Sequence, residues 1–85
     1  MKPIESLYHH LKSEHPTVDF ELDSGWLDIH AGGHTAEVLW TARHGFGFCN
    51  PGGLYGEGVD EVLGHDEGAT ARRVESWLEG VQERV

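Results

Sequence analysis

The side chains that could do chemistry here are histidines, carboxylates and one thiol. Seven histidines occur in 85 residues, and His30 and His34 flank Ala31-Gly32-Gly33 as the closest pair outside the N-terminal segment. Imidazoles hold transition metals when three or four ligands converge and their second nitrogens are oriented. His44 or Cys49 from a neighbouring segment could complete such a set, but no spacing matches a zinc finger. Glu57, Asp60, Glu61, Asp66 and Glu67 gather five carboxylates within eleven residues, among glycines, in the kind of oxygen-rich loop that calcium selects. That spacing is not an EF-hand. The candidate metal ligands are therefore Glu57, Asp60 and Glu61 for a hard ion and His30 and His34 for a transition metal. Their expected state is solvated or structural, and no cofactor is expected.

Other chemistries fare no better. Gly52-Gly53 and Gly56 do not lead directly into a helix and bring no lysine, so they do not form a phosphate cradle. Cys49 with His44 or His30 is the one nucleophile and base pairing on offer. A reactive thiolate needs an electropositive setting, and this one is acidic. Paired carboxylates could serve glycoside chemistry, but 85 residues leave little wall for a sugar cleft. The expectation is a non-enzyme.

Charge is the most informative property. Six Lys+Arg stand against fifteen Asp+Glu, a formal net charge of -9. Between residues 13 and 71 the only fixed cation is Arg43, against eleven carboxylates. A field of that sign repels phosphate backbones, so direct nucleic-acid binding is not expected. It suits either solubility or a partner with a basic surface. Protonating all seven histidines would move the formal charge from -9 to -2 and weaken such an attraction.

The elements that must position these groups follow from hydropathy. Pro3 opens a helix over residues 3 to 14, with Ile4, Leu7, Tyr8 and Leu11 on one face and Pro16 as its limit. From Thr17 the period becomes two. Val18, Phe20 and Leu22 alternate with Asp19 and Glu21, and Leu27, Ile29 and Ala31 alternate with Asp28 and His30. Ala36, Val38 and Trp40 then alternate with Glu37, Leu39 and Thr41, and Phe46 and Phe48 with Gly47 and Cys49. Residues 50 to 65 are expected to be mostly loop, with a short extended or turn piece near residues 59 to 63. Asp66 caps a last helix whose apolar face is Val74, Trp77, Leu78, Val81 and Val85.

These signals predict one domain over residues 1 to 85, of the α+β class. It is a two-layer αββββα arrangement in which a four-stranded antiparallel meander packs against the N- and C-terminal helices, both on the Phe20/Ile29/Val38/Phe48 side. One cysteine cannot form an internal disulfide, and no signal-peptide pattern or 18-residue apolar run is seen, so a cytoplasmic address without a membrane anchor is expected.

Gly45-Phe46-Gly47-Phe48, the segment Tyr55-Gly56-Glu57-Gly58-Val59-Asp60-Glu61-Val62, and Asp66 followed by Ala69, Arg73 and Val74 resemble a recurring pattern in small uncharacterised bacterial domains, some carried beside helix-turn-helix regulators. The resemblance spans roughly residues 34 to 78. Val59 stands where that pattern has proline, and no helix-turn-helix precedes the strands, so DNA reading does not carry over. What it implies is a regulatory or interaction module. The expected function is thus an acidic, non-enzymatic protein binding a macromolecular partner, in one form an inhibitor that mimics nucleic acid; the alternative is an ion-responsive domain. The expected contact residues are Asp19, Glu21, Asp28, Glu37, Glu57, Asp60 and Glu61, with Trp26 as an anchor because it falls out of phase with Leu27 and Ile29.

Overall fold

The structure, a computed structural model, describes residues 2–49 and 61–83, with side chains described as far as residue 81. Helix α1 (Pro3–Glu14) has proline in its first turn and buries Ile4, Leu7 and Leu11. Its end is closed by the His15 N–H donating to Leu11 O at 2.8 Å, one residue before Pro16. Strands β1 (Asp19–Asp23), β2 (Trp26–Ala31), β3 (His34–Thr41) and β4 (Gly45–Cys49) follow as an antiparallel meander. The reversal between β2 and β3 is Gly32-Gly33, with φ of 56° and 80°. Positive φ at both turn residues matches the right-handed twist of the strands, and glycine takes it without steric cost.

The α+β class and the two terminal helices agree with the sequence expectation, but the strand count does not. A fifth strand, β5 (Glu61–Gly64), adds to the open edge of β4, giving the sheet order β1-β2-β3-β4-β5. Its pairing is irregular, with Gly45 and Phe46 both opposite Gly64 and a shift again before Gly47 opposite Val62. Gly45 makes this possible. Its φ is 76°, and a Cβ built there would sit 2.3 Å from Gly64 O.

Helix α2 (Glu67–Glu83) closes the fold. Asp66 caps it as expected: its Oδ1 accepts from the Ala69 N–H at 3.2 Å, and its carbonyl accepts from the Thr70 hydroxyl at 2.9 Å. The core lies between the two helices and one face of the sheet. Leu7 and Leu11 of α1 and Val74, Trp77, Leu78 and Val81 of α2 cluster with Phe20, Leu27, Ile29, Ala36, Val38, Phe46 and Phe48. Both helices therefore share one side of the sheet, and among the described residues no helix covers the other. Among the described residues no helix is long and apolar enough to cross a membrane.

Candidate interaction face

The pleat sends alternate side chains to opposite faces, so the registers decide what the helix-free face presents. The β1–β2 register places Glu21 opposite Asp28, β2–β3 places Asp28 opposite Glu37, and β3–β4 places Glu37 opposite Cys49. Three carboxylates thus stand side by side across three strands. One row further, Asp19 faces His30 and His30 faces Thr35. On the other flank Asp23, Trp26, Leu39, Gly47 and Val62 follow one another across all five strands. That second flank is largely apolar. Trp26 is 37% exposed and Val62 68%, and a shallow groove floored by Gly45 and Gly47 runs between Leu39, Thr41, His44 and Val62.

The acidic row carries an electrostatic cost. Like charges directly opposite one another in a sheet are destabilising, and Asp28 has one on each side. It is half-buried, and its Oδ1 has neither solvent contact nor a hydrogen-bond partner among the described residues. Among the described residues no lysine or arginine pairs with Asp19, Glu21, Asp28 or Glu37. Two cations are engaged elsewhere. Lys12 donates to Val18 O and lies over the Phe20 ring, and Arg73 lies 4.4 Å from the Phe48 ring centroid on the helix side.

Five of the expected contact residues, Asp19, Glu21, Trp26, Asp28 and Glu37, are therefore brought onto one face. Glu61 is not among them. It stands opposite Phe48, and its two oxygens accept from Arg73 Nε at 2.8 Å and Nη2 at 3.1 Å, so it is engaged with α2. Glu57 and Asp60 lie outside the described residues. Of the expected metal ligands, His30 and His34 part company. His34 is opposite Ala31 and therefore on the opposite side of the pleat from His30, whose neighbours are Asp19 and Glu21.

His30 is well oriented. Its Nδ1 lies 3.0 Å from Thr35 Oγ1, and its Nε2 lies 3.7 Å from Glu21 Oε1 with no hydrogen-bond partner. Other histidines are tied into the scaffold: His15 Nε2 is 3.1 Å from Glu75 Oε2, and His10 stands between Glu14 at 3.6 Å and Glu67 at 3.8 Å, joining α1 to the start of α2. The thiol and base pairing is not assembled. His44 precedes β4 and Cys49 ends it, about 16 Å apart at roughly 3.3 Å per residue. Cys49 is buried, and two strand spacings separate it from His30.

Val62 and Thr35 join the face without having been expected from sequence. Thr35 had a usable signal, since a two-residue turn at Gly32-Gly33 sets it opposite His30. Val62 had none, because its position depends on β5 pairing irregularly with β4. Compared with known proteins, the chain matches no family model, no curated protein and no solved structure.

Proposed function

We propose that this chain is a small cytoplasmic protein without catalytic activity that binds, and so regulates, a macromolecule with a basic surface, through the helix-free face of its sheet. One observation carries the reading: Glu21, Asp28 and Glu37 stand in register across three strands with no lysine or arginine among the described residues paired to them, beside the apolar Trp26, Leu39 and Val62 flank. A row of like charges costs stability, and a partner's lysines or arginines would repay it by neutralising the row. Trp26 supplies the partly exposed aromatic anchor that energetic centres of interfaces favour.

The nucleic-acid-mimic form of the proposal draws on spacing. Opposed side chains on adjacent strands are about 5 Å apart, not far from the roughly 3.4 Å of helix axis per charge along one DNA strand. The resemblance to small uncharacterised bacterial domains, some carried beside helix-turn-helix regulators, implies a regulatory or interaction module. The calcium-loop alternative rests on Glu57, Asp60 and Glu61, of which the described member is engaged by Arg73.

Affinity capture from the native host, then titration of the purified partner at about 0.05 and 0.5 M salt, tests the proposal. Electrostatically guided association should fall steeply with salt. A chain carrying Glu21→Gln, Asp28→Asn and Glu37→Gln should fold and bind at least tenfold more weakly. Binding indifferent both to salt and to these changes would contradict it.

A further inference from the structure

We propose that Asp19, Glu21 and His30 form a binding site for a divalent transition metal such as zinc, at the β1 edge of the helix-free face. Asp19 and Glu21 are alternate residues of β1 on one side of the pleat, and His30 of β2 stands directly opposite Asp19. One ligand atom from each lies within 4.8 Å of the others. In a tetrahedral zinc site with bonds of about 2.0 to 2.2 Å, neighbouring ligand atoms are roughly 3.3 to 3.6 Å apart. The observed 3.7 Å between His30 Nε2 and Glu21 Oε1 is already close to that, and Asp19 and Glu21 are exposed and free to close by the remainder.

The histidine, not the acids, argues for a cation here. When Nδ1 donates to the Thr35 hydroxyl at 3.0 Å, Nε2 keeps its lone pair, turned toward two carboxylates. Metal-binding histidines are oriented in this way, with the second nitrogen held by a hydrogen bond. In that tautomer Nε2, which has no solvent contact and no hydrogen-bond partner among the described residues, adds a third electron-rich atom beside the two carboxylates, an arrangement that a cation would relieve. The comparison within this molecule is Glu14, His15 and Glu75, likewise two carboxylates and one imidazole. There His15 Nε2 makes a 3.1 Å hydrogen bond with Glu75, so the imidazole is already satisfied. Imidazole with carboxylates suits zinc and its first-row neighbours more than calcium, which prefers six to eight oxygens. Beside the turn, an open groove of about 350 Å³ bordered by Asp19, His30, Gly33 and His34 leaves room for water to complete the shell.

This site is independent of the proposed partner, but it would act on it, because a bound dication cancels two charges at one end of the acidic row. The test is titration of the full chain with zinc chloride alone, followed by calorimetry and by the imidazole resonances of all seven histidines. One equivalent should bind with micromolar affinity, and the first and largest shift should be at His30 Nε2. His30→Gln should weaken binding at least tenfold and Glu21→Gln several-fold. His15→Gln should leave it unchanged, and millimolar calcium should not compete. If a proton alone occupies the site, as a His30 imidazolium beside Glu21, zinc will leave the His30 resonances of the wild-type chain unmoved, and the proposal fails. Zinc shifting His15 first, or binding His30→Gln as tightly as wild type, overturns it equally.

Discussion

Replacing Asp28 by asparagine should make this protein more stable, although it alters a half-buried residue in the middle of the sheet. Asp28 faces Glu21 on one side and Glu37 on the other, and its Oδ1 has no hydrogen-bond partner among the described residues. Each directly opposed pair of sheet side chains is worth roughly 0.2 to 1 kcal/mol, with like charges unfavourable. Relieving two should return about 1 kcal/mol, and the new amide can donate to either flanking carboxylate. For a domain of this size about 1 kcal/mol corresponds to a rise in Tm of roughly 4 to 8 °C. The gain is electrostatic, so it should shrink as salt rises, the screening length falling from about 8 Å at physiological ionic strength to about 3 Å at 1 M. Thermal unfolding followed by circular dichroism, in about 0.02 M and 1 M sodium chloride, measures both quantities. A fall in Tm, or a gain that salt does not reduce, would refute the reasoning that the row is held together against its own repulsion. The same variant should bind the partner less tightly, since stability gained at a functional site tends to be set against function.

Four other outcomes follow from the structure. Leu27→Ala removes a fully buried side chain between sheet and helices and should cost about 2 to 5 kcal/mol in denaturant unfolding, a large part of the roughly 4 to 13 kcal/mol expected for 85 residues. Gly45→Ala should lower Tm and weaken hydrogen-exchange protection at β5, because its Cβ would meet the Gly64 backbone at 2.3 Å and the conformation at φ 76° disfavours a side chain. A double-mutant cycle on Arg73→Ala and Glu61→Ala should give a coupling below about 1 kcal/mol, since the pair is partly exposed, while Arg73→Ala alone should cost more through loss of its contact with the Phe48 ring. Trp26→Ala should leave Tm within a few degrees but reduce partner affinity at least tenfold in calorimetry.

The helices were legible because each carries its own signal: Pro3 and Pro16 bound the first, Asp66 caps the second, and both show apolar residues at helical spacing. The first four strands were legible from strict alternation, and the exposure of Trp26 from its phase. Strand β5 was legible only as a short extended or turn piece near residues 59 to 63, since Glu61-Val62-Leu63-Gly64 follows a glycine-rich stretch and its place in the sheet depends on the edge that β4 offers. Pairing His30 with His34 went wrong for a definable reason. Across a two-residue turn, facing residues are separated by an odd number of positions, so two residues separated by an even number point to opposite sides. Counting back from the Ser24-Gly25 turn in the same way sets Asp19 opposite His30, a partner eleven residues away that composition alone does not suggest. Glu61 stands apart from the acidic row because it pairs with Arg73, twelve residues later, a partner that the local run of acids does not suggest.

On the proposed function, the helix-free face, and not either helix, meets a basic partner. Backbone amide resonances of the labelled chain, recorded while the captured partner is added at low and then high salt, test this most directly. Shifts should concentrate on residues 19 to 30 and 35 to 39, with the indole of Trp26 among the largest, and added salt should reverse them. Shifts confined to the exposed sides of α1 and α2, or a complex that survives high salt unaltered, would contradict it.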